Sequence, residues 1–184
     1  MKIVLTLSFL LAFVVGCAAT ERIETSSKDT SWSPPPDLAE SLVQSSWTFV
    51  NEMTSNDSTR QKEALQECLP DKADLDVLFN ESSPQVWARL EPAAKRLLDH
   101  LEKGSADFSR ASAIQKFEAF SIRDGIDSRF APVLKMIPKE IPAYRMVTHL
   151  KGRMFDSSTY FFVNERWIWI QGLEEIPSLL RKDQ

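Results

Sequence analysis

Two histidines and two cysteines are the residues of this chain that are most suited to chemistry. His100 and His149 lie far apart, and neither has the companion residues of a metal or nucleophile site nearby. We expect His100 near the C-terminal end of a helix, where a cation interacts well with the helix dipole, and His149 on the solvent face of a strand. The sequence therefore predicts no catalytic residue, no metal ligand and no cofactor-binding residue.

Carboxylates form two short clusters, Asp71 with Asp74 and Asp76, and Glu174 with Glu175. Neither cluster has the Asp-x-Asp-x-Asp-Gly pattern of a calcium loop, and negative charge at the start of a helix accounts for the first one. The chain also lacks a phosphate-binding loop, a dinucleotide fingerprint and a Gly-x-Ser-x-Gly elbow, and it has only five glycines. These absences favour a protein that is not an enzyme.

The residues best suited to binding a ligand are aromatic side chains in predicted strands. Arranged on one face of a sheet beside an arginine, they would line a cavity for an apolar or anionic ligand. The alternative is that the rings belong to the hydrophobic core and bind nothing. The predicted pocket consists of Tyr144, Tyr160, Trp167, Trp169 and Arg145, with Arg123, Arg153 or Arg166 as other possible charged neighbours.

The N-terminal segment has the features of a cleaved signal. Lys2 precedes an uncharged, mostly apolar run from Ile3 to Val15. This run is too short for a transmembrane helix, which needs about 20 apolar residues. It ends in Val14-Val15-Gly16-Cys17, which resembles the lipobox of bacterial lipoproteins. The resemblance implies cleavage before Cys17, a diacylglyceryl thioether on its sulfur and an acylated new N-terminus.

On this interpretation, residues 1–16 are a signal peptide and acyl chains anchor the protein to a membrane. Two or more chains give stable anchoring, whereas one chain holds a protein only marginally. Ala18 is not the aspartate that is linked with inner-membrane retention. We therefore expect the domain at the periplasmic face of the outer membrane, or outside the cell in a host with one membrane. The alternative is an ordinary secretory signal cleaved around Cys17-Ala18-Ala19.

Residues 17–36 are predicted to be a flexible linker, because they are rich in Thr, Ser and charge and end in Pro34-Pro35-Pro36. Residues 37–184 are long enough for one globular domain with its own core. The chain of 184 residues has a net charge of −4, and loss of Lys2 with the signal peptide makes it more acidic. This acidity argues against binding to nucleic acid.

Cys68 is the only cysteine that remains once Cys17 is lipidated, so no disulfide can form within the chain. It follows Ala64 and Leu65 at helical spacing, which predicts that its thiol is buried. The alternative is a disulfide between two chains.

The first part of the domain is predicted to be helical. Apolar residues recur there every three or four positions. Each segment begins with a capping pattern, namely Asp37 with Glu40, Ser58 with Gln61, Asp71 with Asp74, and Ser83 followed by Pro84. Pro92 is predicted to kink or divide the last helix near Glu91, and Gly104 to cap its end. The four predicted helices cover about 37–56, 58–69, 71–79 and 83–103.

From Ala113 onward the hydrophobic period becomes that of strands. We predict strands around Glu118–Ile122 and over Pro142–Lys151, a short helix over Phe130–Ile137, and a β-hairpin over Thr159–Gln171. Its turn type stays open, because Glu165 stands where glycine is usual. Both faces of this hairpin are apolar, so both must be covered. The helical half can cover one face, and the other requires segment Leu173–Leu180 or a second protomer.

These elements predict an α+β fold, in which N-terminal amphipathic helices pack on a C-terminal antiparallel sheet of about four strands. The order of elements over residues 37–181 is similar to that of the curved-sheet nuclear transport factor two-like and cystatin-like folds. The resemblance implies a fold and carries over no functional residues.

The sequence favours a non-enzymatic envelope lipoprotein that binds a small ligand or an envelope protein, with a homodimer through the hairpin sheet as one possible assembly. Two alternatives stay open. One is a small envelope enzyme that uses a cavity between the helices and the sheet, with Glu118 and His149 as acid–base candidates. The other is a structural spacer near the membrane.

Overall fold

A computed structural model describes residues 37–104, 111–123, 129–151, 153–170 and 172–180, with the backbone alone for residues 155–158. The predicted signal peptide (1–16), the lipidation site Cys17 and the predicted linker (17–36) lie outside the described residues. The described part has helices in its first half and an antiparallel sheet in its second half, which confirms the predicted α+β class. Among these residues, no helix combines the length and apolar character needed to cross a membrane.

The first helix, α1, spans Leu38–Met53. Asp37 caps it, because its side chain accepts a hydrogen bond of 2.8 Å from the backbone N–H of Glu40. The helix ends slightly before the predicted Asn56, where the Thr54 hydroxyl donates to the carbonyl of Val50 at 2.8 Å. Its apolar side chains form one buried stripe: Leu38, Leu42, Phe49, Val50 and Met53.

Two short helices follow, α2 over Ser58–Cys68 and α3 over Lys72–Phe79. Asp57 caps α2, one residue before the predicted start, and its carboxylate accepts hydrogen bonds from two backbone N–H groups at 2.9 and 3.3 Å. A carboxylate is a stronger acceptor there than the hydroxyl of Ser58. At α3 the predicted capping pattern is confirmed, since Asp71 and Asp74 each accept a hydrogen bond from the other's backbone N–H.

The longest helix, α4, spans Ser83–Glu102 and runs without interruption through Pro92. The sequence predicts that Pro92 kinks or divides the helix; Pro92 does not divide it, and the kink stays a prediction. Pro92 is exposed, so water can bond to the backbone carbonyl that its missing N–H leaves free. Gly104 ends the helix as predicted, with a left-handed φ of 61° and its N–H bonded to the carbonyl of Leu101 at 2.9 Å.

The sheet has four antiparallel strands in the order β1-β2-β3-β4. Strand β3 begins well before the predicted hairpin, because its first residues pair with the end of β2. The short helix α5, Ala131–Leu134, precedes β2. A 3₁₀ turn, Leu173–Glu175, leads from β4 to α6, Ile176–Leu180. The strands span Ile114–Ser121, Ala143–Leu150, Arg153–Val163 and Arg166–Ile170.

The β3–β4 hairpin turns through two residues in left-handed conformation, Asn164 with φ 50° and Glu165 with φ 64°. Two consecutive positive φ angles are the mark of a type I′ turn, whose twist matches that of the strands it joins. The structure thus settles the turn type that the sequence left open.

Both faces of the hairpin are buried, in two separate hydrophobic clusters. On one face Tyr160, Trp167 and Trp169 share a cluster with residues of α1 and α2. The other face meets α3, the segment around α5 and the C-terminal segment, which confirms that residues 173–180 help to cover it. Neither face needs a second protomer for its burial. The second cluster includes Phe161, Ile168, Ile170, Leu75, Leu78, Val133, Ile137, Leu173 and Ile176.

Replacing the glutamate in the hairpin turn tests its backbone strain. We expect Glu165→Gly to raise the free energy of unfolding by about 0.5–1 kcal/mol, because glycine adopts a left-handed φ without steric cost. Urea denaturation of the full chain measures the change. Glu174→Gly, in an exposed 3₁₀ turn without a positive φ, is the control and should lower stability. A loss of stability in both variants would contradict the strain argument.

Candidate functional site

The four rings of the predicted pocket lie together in the first hydrophobic cluster. Tyr144 contacts the edge of Trp167 with ring centroids 5.6 Å apart, and the indole N–H of Trp167 donates to the hydroxyl of Ser41 at 3.3 Å. Tyr160 and Trp167 are almost completely buried, at 0% and 1% exposure. Tyr160, Trp167 and Trp169 are therefore core residues, which is the alternative that the sequence left open, and the partly buried Tyr144 packs against them.

Arg145 does not join the four rings. It follows Tyr144 in β2, and successive side chains of a strand point to opposite faces of the sheet. Tyr144 and Met146 both belong to the first cluster, so Arg145 extends from the other face.

A surface groove lies between α4 and the segment that follows β4, and we call it the α4 groove. It has a volume of about 170 Å³ and is open to solvent. A smaller recess of about 20 Å³ shares Leu90 and Ala93 with it and extends to Trp87 and Trp169. Trp169 is thus the one residue of the predicted pocket found in the lining of either depression. The α4 groove is lined by Arg89, Leu90, Ala93, Arg96, Gly172, Glu175, Ile176 and Leu179.

The groove exists because α4 is only partly buried. Its apolar residues Trp87, Leu90 and Leu97 have the spacing of a core stripe, yet each remains partly exposed. Two small residues in the lining leave space between the helix and its neighbour. One is Ala93, and the other is Gly172, whose left-handed φ of 66° favours glycine as the chain leaves β4.

The rim of the α4 groove carries more positive than negative charge. Arg89 and Arg96 are two helical turns apart and lie along the same edge of α4. Arg89 bridges the groove to Glu175, with Nη2 and Oε2 3.4 Å apart, and both side chains are more than half exposed. Among the described residues, Arg96 has no ion-pair partner. The rim therefore has one cation in excess of its single carboxylate.

Glu118 and His149, the acid–base candidates, meet across β1 and β2. His149 Nε2 lies 2.5 Å from Glu118 Oε2, and Lys116 Nζ donates to Glu118 Oε1 at 2.5 Å. The hydrogen bonds from Lys116 and His149 lower the pKa of Glu118. A carboxylate held ionised by two donors is a poor general acid. Neither Glu118 nor His149 lines the groove or the recess.

Asp74 is a buried carboxylate, with its side chain only 1% exposed. It pairs with Arg166, accepts from the side-chain amide of Asn164 at 3.0 Å and accepts from the backbone N–H of Asp71 at 2.9 Å. Burial raises its pKa, while the hydrogen bond from Asp71 and the charge of Arg166 act in the opposite direction. Because Asn164 and Arg166 flank the hairpin turn, this cluster fastens the turn to the start of α3.

Arg166 also completes the end of α2. Its guanidinium donates to the backbone carbonyls of Glu67 and Leu69, which have no partners within the helix. The same side chain therefore joins α2, α3 and the hairpin. These contacts account for the buried Asp74–Arg166 pair as part of the fold.

The remaining chemistry-bearing residues occupy ordinary positions. Cys68 is 2% exposed and its thiol donates to the carbonyl of Ala64 at 3.2 Å, which confirms the predicted burial. His100 is an exposed residue in the last turn of α4, as predicted. The described residues contain no group of three or more His, Cys, Asp or Glu side chains that could hold a metal ion.

In comparisons with known proteins, no family model, curated protein or solved structure matches the chain.

The sequence did not single out the residues of the α4 groove. The seven-residue spacing of Arg89 and Arg96 places both on one side of a predicted helix. This spacing could have predicted the positively charged edge of the groove. The other wall was not predictable from local patterns, because nothing near Gly172 indicates which helix it approaches.

Removing the cation of the buried pair tests its electrostatics. We expect Arg166→Met to lower the free energy of unfolding by about 3 kcal/mol near neutral pH, because it leaves a buried carboxylate without its partner. The change raises the pKa of Asp74 further. The pKa of Asp74 is then higher in the folded protein than in the unfolded chain. The variant should therefore gain stability as pH falls below the folded-state pKa, and it should lose this stability as pH rises through that pKa. Urea titrations from about pH 4, near the unfolded pKa of an aspartate, to about pH 7 measure this dependence.

Arg60→Met is the matched control, because Arg60 forms an exposed ion pair with Glu52 at 2.5 Å. It should change stability little at either pH. An equal loss for Arg166→Met at both ends of the pH range would show that ionisation of Asp74 is not the cause.

Proposed function

We propose that this protein is a non-enzymatic cell-envelope lipoprotein whose domain binds a small amphipathic ligand in the α4 groove. Acyl chains on Cys17 anchor it to the periplasmic face of the outer membrane, or to the outer side of a single membrane. The observation that carries the binding proposal is the groove itself, in which an apolar floor lies below two arginines. Small-molecule sites commonly combine apolar walls with a few charged groups.

The contents of the groove favour binding over catalysis. Its described lining includes no histidine, cysteine or serine, and its one carboxylate, Glu175, is exposed and paired with Arg89. Glu118 and His149 lie elsewhere, on the sheet. An acid–base reaction in the groove would have no second titrating group beside Glu175 except the arginines, which do not give up their protons.

The spacer hypothesis and the homodimer hypothesis receive less support. A domain that acts only as a spacer gives no reason for an open groove with charged edges. A homodimer through the hairpin stays a prediction. The argument for it was an uncovered apolar face, and both hairpin faces are covered within one chain. An envelope protein partner stays a prediction as well.

The lipid anchor is tested by replacing each of the two cysteines separately. In a bacterial host that processes lipoproteins, we expect a clickable fatty acid to label the full chain and mass spectrometry to find residues 1–16 removed. Cys17→Ser should abolish the label, because its side chain has no thiol to accept the diacylglyceryl group. Cys68→Ser should retain it, because Cys68 is buried. Label that survives in Cys17→Ser would contradict the anchor.

Occupancy of the groove is tested with an alkanol that carries a photoreactive diazirine. With the full chain in phospholipid vesicles, we expect cross-links to concentrate in peptides from α4 and residues 172–180. Ala93→Leu should reduce them about tenfold or more, because the larger side chain fills a groove of about 170 Å³. Glu91→Leu adds the same side chain at an exposed position of α4 and should leave the cross-links unchanged. Equal labelling of both variants would contradict the groove as the binding site.

A further inference from the structure

The geometry of the α4 groove points to its ligand class: a single-chain aliphatic carboxylate, with its head group at Arg96 and Arg89 and its chain over Leu90 and Ala93. This inference rests on the proposed binding function and specifies the ligand. Three features of the groove support it, namely its charge, the continuity of its apolar floor and its size.

The charge of the rim is opposite to that of the chain as a whole. The protein has a net charge of −4, yet the groove presents two arginines against one carboxylate. Arg96 has no ion-pair partner in the described part of the chain, and the Arg89–Glu175 contact is long, at 3.4 Å. A ligand carboxylate would accept from Arg96 the bidentate hydrogen bonds that arginine favours, and its charge would also attract Arg89.

The apolar surface runs from the arginines to the aromatic recess. Leu90 and Ala93 line both depressions, so they form a continuous floor between the two. Ile176 and Leu179 form the facing wall of the groove, and Trp87 and Trp169 border the recess. An unbranched chain lying along this floor would keep its charged end at the rim and its methylene groups away from water.

The size of the groove limits the ligand. About 170 Å³ is less than the roughly 300–1,000 Å³ of a site for a drug-sized molecule. It suits part of one aliphatic chain and leaves no room for two chains of a phospholipid. A domain tethered beside a bilayer would meet free single-chain carboxylates released from lipids, and we commit to that source over an intact lipid head group.

The test uses two photoreactive probes of equal chain length, a diazirine decanoate and a diazirine decanol, with the full chain in phosphatidylcholine vesicles. We expect the decanoate to label α4 and residues 172–180 roughly threefold to tenfold more than the decanol does at equal occupancy of the membrane. Arg96→Gln should remove this preference, because glutamine supplies no charge for the carboxylate. Arg60→Gln makes the same change of charge at an exposed site away from the groove and should keep the preference.

The outcomes separate the two proposals. Equal labelling by both probes, confined to the groove, would overturn the carboxylate inference and leave the binding function standing. Absence of groove labelling by either probe would overturn both. If adding phosphatidylglycerol to the vesicles displaces the decanoate, the ligand is an intact lipid head group and the single-chain inference is wrong. Loss of the preference in Arg60→Gln as well would assign it to the overall charge of the protein.

Discussion

Burial of both faces of the β3–β4 hairpin is the constraint on which the rest of the fold depends. Aromatic rings occupy one face and mainly aliphatic side chains the other, so the sheet needs a layer of chain on each side. Removing one such large side chain from a core typically costs about 3–5 kcal/mol, which shows how strongly each layer is held. Helices α1 and α2 supply the first layer. The second is assembled from α3, the segment around α5 and the last described residues, which are far apart in sequence.

A polar cluster fixes the position of the hairpin between these layers. The turn uses two non-glycine residues in left-handed conformation, and Asn164 offsets part of that cost by donating to Asp74. Arg166 then links Asp74 to the open carbonyls at the end of α2. Because Asp74 also completes the capping box of α3, one carboxylate serves helix initiation and tertiary docking. A buried ion pair adds little net stability over apolar packing, but losing one partner is costly because the other charge stays buried.

The α4 groove exists because other elements cover the two faces of the hairpin. The two faces of the hairpin are largely covered by other elements, so α4 packs mainly against α2 and α3 and keeps part of its apolar stripe exposed. Exposed apolar surface beside unpaired positive charge is a common setting for ligand binding. On the sheet, Lys116 and His149 both contact the carboxylate of Glu118, outside the groove. In the groove, two arginines face one carboxylate beside apolar surface, and this combination supports the binding proposal.

Local sequence patterns determined the elements of this protein. The capping box at Asp71, the stripe of α1, the end of α4 at Gly104 and the β3–β4 hairpin all depend on residues within a few positions of one another, so they could be predicted. One error arose where neighbouring residues compete for one cap, at Asp57 beside Ser58. At Pro92 the helix is not divided, because the exposed position lets water bond to the carbonyl left free. The alternation of side chains along β2 already separates Arg145 from Tyr144. Tertiary structure alone decided that Arg166 meets Asp74 and that α4 lies beside Gly172. Arg166 and Asp74 are 92 positions apart, and Gly172 follows Arg96 of the groove lining by 76 positions. Periodicity specifies which side of an element is apolar, whereas only packing of the whole core specifies which other element that side meets.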